Sequence, residues 1–323
     1  MTTRPVYLGA LGQAVGTHLI DNDELAVLTG TSPEAIFRLT GIRTRSYAPF
    51  EDELALAVRA VADLFSRLEN PPEPDLLLLA TTTPRSHVPS TAMRLSGRIF
   101  PDGGPPALDI GGSCAAFMTG LFTARSLIAS GAARNILLVN TERKTDHVCP
   151  VHTPETALLF GDAASAAWIT DRPDGLSRPF GLRDLRIGAK GDKAALISYS
   201  SDPETGRKIL KMDGQPLFRQ AVRLLTREIG RLLSDHGLSP SEAGAFLLHQ
   251  ANGRILDGIA ERIGMRPDQL PRTVSLHGNT SSASLGITLE NFLGTCSDAP
   301  SGPLILAAIG GGLTWGVGLL DPH

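Results

Sequence analysis

Residues 106–131 have the sequence PALDIGGSCAAFMTGLFTARSLIASG. This stretch begins as a short strand, turns at GGSC and continues as a helix rich in small and apolar residues. The runs on either side, PDLLLLATTT (74–83) and NILLVNTE (135–142), predict strands that are buried on both faces. Residues 51–69 and 215–235 have the apolar spacing of amphipathic helices. Buried strands interleaved with helices indicate an α/β fold.

The second half of the chain repeats this order of units. Its predicted strand, strand, turn, helix and closing strand are AGAFLLHQAN (243–252), TVSL (273–276), HGNT (277–280), SSASLGITLENFLG (281–294) and PLILAAIGGG (303–312). Any α/β chain contains strand–turn–helix units, but a repeat of the whole series favours an internal duplication.

The composition is that of a globular protein. The 323 residues carry a formal charge of −3, with 42% hydrophobic and 20% charged residues, so nothing suggests nucleic-acid binding. No apolar run reaches the roughly 18 residues that a membrane span needs, and MTTRPVYLGALG at the N-terminus lacks the pattern of a secretory signal. Three cysteines without CxxC spacing suit neither a disulfide scaffold nor a zinc site, which indicates a reducing, cytoplasmic compartment.

Three residues of reactive type follow predicted strands, where α/β folds place their sites. Cys114 follows two glycines at the start of a helix, a position that favours the thiolate. His249 ends an apolar strand, and Asn279 lies in the turn of the second unit. Each alone is explained as a small buried side chain, a structural histidine or a helix cap. Together, a thiolate, an imidazole and an amide can attack a thioester and hold the resulting oxyanion.

Seven motifs along the chain form one pattern. They are TGIR (40–43), PS (89–90), DIGGSCAAF (109–117), FGDAA (160–164), HQAN (249–252), GNTS (278–281) and GGGLTWG (310–316). In this order they resemble β-ketoacyl-acyl-carrier-protein synthase III, a condensing enzyme of the thiolase superfamily, over nearly the whole chain. The resemblance implies a duplicated five-layer αβαβα fold, with the nucleophile in residues 1–172 and the histidine and asparagine in residues 173–323.

The resemblance also implies a role for each site residue. Cys114 would take the acyl group, with its own N–H and that of Gly311 as the oxyanion hole. His249 and Asn279 would bind a malonyl-type thioester and promote its decarboxylation, so that the carbanion attacks the acyl group in a Claisen condensation. The expected substrates are acyl-CoA or acyl-carrier-protein thioesters, and the expected protein is a cytoplasmic homodimer with no cofactor or metal.

Several positions depart from the family pattern where it binds substrate. Ala35 and Leu39 replace a tryptophan that stacks on adenine and an arginine before TGI, which favours carrier-protein thioesters or CoA held in another way. Val88 replaces a phenylalanine that crosses the dimer interface, which predicts a longer, branched or cyclic acyl group. Arg254 matches the family and is predicted to meet a phosphate, and Phe160 is predicted to contact substrate. These departures favour polyketide or other specialised metabolism.

Three other functions fit parts of the pattern. An acyltransferase would pass the acyl group from Cys114 to a hydroxyl, amine or carrier thiol without decarboxylation, with His249 as base. A papain-like hydrolase also has cysteine, histidine and asparagine in this order, but the residues flanking Cys114 do not match its signature. A non-catalytic partner subunit would lack the nucleophile. Separately, Arg219, Arg223 and Arg227 form a basic stripe that suits either a carrier protein or solvent.

Overall fold

The computed structural model describes residues 4–296 and 300–323. The strands are β1 (Tyr7–Val15), β2 (His18–Asp21), β3 (Thr44–Tyr47), β4 (Leu76–Ala80), β5 (Ala107–Asp109), β6 (Asn135–Arg143), β7 (Asp162–Thr170), β8 (Phe180–Ala189), β9 (Ile197–Ser201), β10 (Lys208–Met212), β11 (Ala245–Leu248), β12 (Leu304–Gly310) and β13 (Thr314–Pro322). The helices are α1 (Asn22–Thr29), α2 (Pro33–Thr40), α3 (Glu53–Phe65), α4 (Thr91–Ile99), α5 (Ala116–Ala129), α6 (Pro154–Ala157), α7 (Gly214–Asp235), α8 (Gly253–Ile263), α9 (Val274–His277) and α10 (Ser284–Thr295).

In the described part of the chain, nine strands form one mixed sheet in the order β11-β12-β13-β8-β1-β7-β6-β4-β5. At one end β4 pairs in parallel with β6, which pairs antiparallel with β7, which pairs antiparallel with β1. At the other end β11, β12, β13 and β8 repeat this series of parallel, antiparallel and antiparallel pairs. The two arms meet where Tyr7 pairs with Gly181 and Leu8 with Phe180. The arms therefore have the same topology in mirrored order along the sheet.

Alternating side chains of the buried strands separate the helices into layers. Leu76 and Leu78 of β4 pack on a central layer of α5 and α10, and so does Leu247 of β11. The opposite face of β4 packs on α3 and α4, through Leu77 and Leu79. The opposite face of β11 and β12 packs on α7 and α8. The two arms of the sheet therefore form two β layers, one on each side of the central helices α5 and α10. This confirms the expected five-layer αβαβα arrangement. Within the described residues, no helix combines the length and apolarity needed to cross a membrane.

Two equivalent turns lead into the helices of the central layer. Ser113–Ala115 is a short 3₁₀ turn before α5, and Ser281–Ala283 is a 3₁₀ turn before α10. The first residue of each turn has a positive φ, 53° for Ser113 and 52° for Ser281, a backbone conformation that residues other than glycine seldom adopt. The repeated sequence units thus have the same unusual backbone at the same place, and Cys114 corresponds to Ser282.

One predicted strand is wrong. TVSL (273–276) lies mostly in the short helix α9 rather than in a strand. The backbone N–H groups of Thr273 and Val274 donate to the buried Oε1 of Gln250, at 3.0 and 3.1 Å. This side-chain acceptor takes the place of a neighbouring strand, and it lies more than twenty residues earlier in the chain. The β-branched residues of the segment therefore gave a misleading local signal.

Candidate active site

One cavity of about 710 Å³ brings most of the predicted site residues together. Its lining includes Cys114, His249, Asn279, Phe160, Gly311 and Arg254. The strand ends of β11 and β12 and the two 3₁₀ turns supply the reactive groups, which come from both arms of the sheet. The volume is in the range of cavities that bind small molecules.

Cys114 is held by a close approach between its turn and the end of β12. The thiol is buried, with 7% of the residue exposed, and the turn leads directly into α5, whose positive end it faces. Gly310 passes so near that a Cβ there would lie 2.6 Å from the Cys114 nitrogen. The Cys114 Sγ lies 3.3 Å from Ser281 Oγ, a contact between the two equivalent turns.

The predicted second donor of the oxyanion hole already has a partner. The Gly311 N–H donates to Ser113 Oγ at 3.1 Å. Ser113 directly precedes the nucleophile, so its hydroxyl lies where it competes with an oxyanion for that donor. The pairing of Cys114 and Gly311 as an oxyanion hole stays a prediction, and binding an anion there requires the Ser113 hydroxyl to share or give up this hydrogen bond.

His249 is buried and its ring is fixed from behind. Its Nδ1 lies 2.6 Å from Ser284 Oγ, and the same oxygen accepts the Gln250 N–H at 3.3 Å. Among the described residues the Ser284 hydroxyl has no other acceptor for its hydrogen, so we assign that hydrogen to Nδ1, and Nε2 then carries the ring hydrogen. Burial lowers the pKa of His249 to about 3, and the nearby Lys144 ammonium acts in the same direction. The ring is therefore a neutral hydrogen-bond donor.

The side chain of Asn279, like that of His249, is held with a donor available to a ligand. Its Oδ1 accepts the Ser281 N–H at 2.8 Å, while its backbone bonds to Leu159 and Gly161 on either side of Phe160. The side-chain oxygen is thus occupied, and the Nδ2 amide is the end that can donate to a ligand. His249 and Asn279 together present two neutral N–H donors to the cavity, which is the arrangement that stabilises an enolate.

The substrate-binding predictions have mixed outcomes. Phe160 and Arg254 line the cavity, Phe160 deeply buried and Arg254 exposed, with an ion pair from Arg254 to Asp257 at 2.8 Å. Val88 lies outside the cavity of its own chain and is 87% exposed. A contact between Val88 and substrate therefore stays a prediction that depends on a second subunit.

Several residues around the site were not predicted from the sequence. Arg38 lines the cavity beside Leu39, so a cation stands one position away from the arginine that the family pattern expects. Glu142 and Lys144 lie close to the nucleophile and are almost fully buried, with 0% and 3% of each residue exposed. Both follow the apolar run of β6, and charged residues at the end of a buried strand were the available signal.

Comparison with known proteins identifies the family. Residues 108–191 match the model of 3-oxoacyl-[acyl-carrier-protein] synthase III, and residues 233–321 match the model of its C-terminal part. The chain is 32% identical to a β-ketoacyl-[acyl-carrier-protein] synthase III of Erythrobacter litoralis, over 96% of this chain and 97% of that protein.

Solved structures agree with this match. The 3-oxoacyl-(acyl carrier protein) synthase III of Pseudomonas aeruginosa PAO1 superposes with a TM-score of 0.88 at 29% identity, over 98% of both chains. The priming β-ketosynthase of the R1128 polyketide pathway superposes with a TM-score of 0.85 at 29% identity, over 99% of this chain and 98% of that one. With near full-length matches in sequence and structure, the chain belongs to the 3-oxoacyl-[acyl-carrier-protein] synthase III family of condensing enzymes.

Proposed function

We propose that this chain transfers an acyl group to Cys114 and then condenses it with a malonyl-type thioester, with loss of carbon dioxide. The observation that carries the proposal is the convergence of a thiol and two neutral N–H donors, from His249 and Asn279, on one cavity. Membership of a family of 3-oxoacyl synthases supports the same reaction.

In the first half-reaction the Cys114 sulfur attacks the carbonyl carbon of an acyl thioester. The tetrahedral oxyanion is stabilised by backbone N–H groups, which we assign to Cys114 and Gly311. Collapse of the intermediate expels the thiol of CoA or of a carrier protein and leaves an acyl-cysteine. No cofactor is needed for this step, because the thioester supplies the activated acyl group.

In the second half-reaction a malonyl-type thioester occupies the same cavity. Its carbonyl oxygen accepts hydrogen bonds from His249 Nε2 and Asn279 Nδ2. As the carbon–carbon bond to the carboxylate breaks, negative charge moves onto that oxygen, and two neutral donors stabilise it without protonating the carbon nucleophile. The carbanion attacks the acyl-cysteine, and the Cys114 thiolate leaves to release a β-ketoacyl thioester.

The acyl group that we propose is larger than acetyl. The cavity of about 710 Å³ is lined mainly by apolar side chains, and Val88 is smaller than the phenylalanine that the family pattern leads one to expect there. A longer, branched or cyclic acyl group suits a starter unit of polyketide or other specialised metabolism. The likeness to the R1128 priming β-ketosynthase supports this direction.

We also propose an acyl carrier protein as partner. Among the described residues that line the cavity are three exposed arginines, Arg38, Arg219 and Arg254. Local positive charge of this kind, on a chain that is slightly acidic overall, suits the phosphate of a pantetheine arm or an acidic carrier surface. We further propose that the protein is a cytoplasmic homodimer and that each subunit consists of two halves, residues 1–172 and residues 173–323. In this dimer Val88 of each subunit extends toward the acyl cavity of the partner subunit.

The deciding experiment measures carbon dioxide and protein mass together. The enzyme is incubated with a panel of acyl-CoA and acyl-carrier thioesters, with and without a malonyl thioester, and the intact mass and carbon dioxide release are followed. We expect an acyl adduct on the wild type that is absent from Cys114→Ser, and carbon dioxide release that Asn279→Asp abolishes. Acyl transfer to another acceptor without carbon dioxide would overturn the condensation and establish the acyltransferase function instead.

A further inference from the structure

Within the described part of the chain, His249 and Asn279 are the cavity side chains placed opposite the thiol, and neither offers an acceptor for the Cys114 proton. His249 Nδ1 receives the Ser284 hydrogen, and burial, helped by Lys144, lowers the pKa of the ring to about 3, so the imidazole binds a further proton poorly. Asn279 presents its amide hydrogens to the cavity because its Oδ1 is bonded to the Ser281 N–H. Both residues are arranged as donors, and a proton acceptor for the thiol must lie elsewhere.

A hydrogen-bonded path leads from the thiol away from the cavity. The Cys114 Sγ lies 3.3 Å from Ser281 Oγ, and Ser281 donates to Glu142 Oε1 at 3.1 Å. An ionised carboxylate only accepts, and a serine hydroxyl has a single hydrogen. With that hydrogen committed to Glu142, Ser281 can only accept from the thiol. The resting order is therefore Cys114 S–H to Ser281 O–H to the Glu142 carboxylate.

Glu142 is surrounded by hydrogen-bond donors in the interior. The side chain is fully buried, and Oε1 also accepts from Ser282 Oγ at 2.6 Å. Its other oxygen accepts from the hydroxyl and backbone of Thr82, at 2.7 and 3.1 Å. Lys144 bonds to the same Thr82 hydroxyl. Burial opposes the Lys144 charge, but Glu142, Tyr199 and Cys114 outweigh it and raise the pKa of the ammonium, so a cation balances the carboxylate.

We propose that Glu142 is the base that takes the Cys114 proton, through the hydroxyl of Ser281. The thiol proton moves to Ser281 Oγ as the serine's own hydrogen moves to Glu142 Oε1. The thiolate then attacks the acyl thioester, and the departing thiolate takes a proton from solvent. This inference rests on the proposed role of Cys114 as nucleophile. Ser281 relays the proton, and neither it nor Glu142 lines the cavity.

The same path closes the cycle. When the carbanion attacks the acyl-cysteine, the carbon–sulfur bond breaks and Cys114 leaves as a thiolate. The protonated Glu142 returns its proton through Ser281, which restores the thiol and the carboxylate. Other titratable groups that interact with this pair are Lys144, His147 and Tyr199. The overall reaction consumes one proton, the one taken by the thiol released in the first half-reaction.

The test follows alkylation of Cys114 by iodoacetamide as a function of pH. The Cys114 peptide is quantified by mass spectrometry, so that Cys149 and Cys296 do not interfere. A proton shared between thiol and carboxylate gives the wild type a rate that is nearly independent of pH from 6 to 8. In Glu142→Gln and Ser281→Ala we expect a rate lower by about tenfold or more at pH 6, rising about tenfold per pH unit.

A matched control separates a relay from packing. Ser282→Ala removes a hydrogen bond to the same Glu142 oxygen but leaves the path to Cys114 intact. Its alkylation rate should therefore remain nearly independent of pH from 6 to 8, as in the wild type. Equal losses in Ser281→Ala and Ser282→Ala would overturn the relay. A carboxylate that acted only as a nearby charge would raise the thiol's pKa, so faster alkylation of Glu142→Gln at pH 6 would also overturn it. Alkylation needs no acyl substrate, so this outcome is independent of whether the proposed condensation occurs.

Discussion

Replacing Ser284 by alanine should impair decarboxylation while leaving acylation of Cys114 intact. The Ser284 hydroxyl is buried and lies 2.6 Å from His249 Nδ1. In Ser284→Ala the ring loses the donor that fixes its tautomer, and a ring with its hydrogen on Nδ1 has only a lone pair to present at Nε2. That lone pair repels the enolate oxygen instead of stabilising it.

The size of the effect follows from the lost contact. In Ser284→Ala the His249 Nδ1 loses its hydrogen-bond partner, and an unsatisfied buried polar group costs about 1–3 kcal/mol. In the ground state the variant avoids this cost only if the His249 ring changes its tautomer or its orientation. If this energy is lost from the transition state of decarboxylation, the rate of carbon dioxide release falls by about 5- to 140-fold. Acylation should be unchanged, because His249 holds the malonyl thioester rather than the acyl donor.

The assay separates the two half-reactions. Rapid-mix intact-mass measurements give the rate of acyl-Cys114 formation, and labelled carbon dioxide from a malonyl thioester gives the rate of decarboxylation. Ser126→Ala is a matched control, since Ser126 is an exposed helical serine whose hydroxyl donates to the carbonyl of Phe122. If Ser284→Ala slowed acylation as much as decarboxylation, or left both unchanged, the assigned tautomer of His249 would be wrong.

Three further changes test the site. Gly310→Ala places a Cβ 2.6 Å from the Cys114 nitrogen. We expect thermal unfolding to show a loss of about 1–3 kcal/mol of stability and intact-mass measurements to show that most of the acylation rate is lost. Acylation at the wild-type rate would contradict the close approach of Gly310 to Cys114. Ser113→Ala frees the Gly311 N–H for an oxyanion and should speed acylation by about 2- to 12-fold, whereas slower acylation would mean that Ser113 mainly holds the loop. Burial and the Lys144 charge hold the pKa of His249 near 3, below its unfolded value of 6.5, so the stability it contributes is present above pH 6.5 and is lost as the pH falls toward 3. In urea titrations the wild type should lose about 2 kcal/mol more than His249→Gln between pH 7 and 5, and equal losses would show that the ring is not buried in its neutral form.

The layers of the fold could be predicted because its buried strands carry a strong local signal. The predicted strands at 74–83 and 243–252 form as Leu76–Ala80 and Ala245–Leu248, since a short apolar run between polar residues has few other ways to be buried. TVSL failed because the acceptor for its backbone N–H groups is Gln250, a tertiary contact that no local window contains. Local patterns therefore predicted the strands that pair with neighbours, but not the segment held by a side chain.

The candidate site could be predicted in part for a similar reason. Cys114, His249 and Asn279 each lie in a turn or at a strand end of the repeated units, so the duplication itself brought them to one edge. The hydroxyls around them were missed, because Ser281 and Ser284 have no distinctive spacing and gain their meaning from partners far away in sequence. Ser281 lies 167 residues from Cys114 and 139 from Glu142. Networks of this kind become visible only when the chain is folded.

The two equivalent turns, with Ser113 and Ser281 at the same positive φ, have an evolutionary consequence. An ancestor with identical halves would have placed two identical turns against each other, each opening toward the same point in space. Divergence then needed only small changes: one turn carries a thiol at its second residue, and the other carries a serine there, at Ser282, three residues after an asparagine that donates. A nucleophile and its complement of donors could thus arise from one ancestral loop, by giving each copy half of the chemistry.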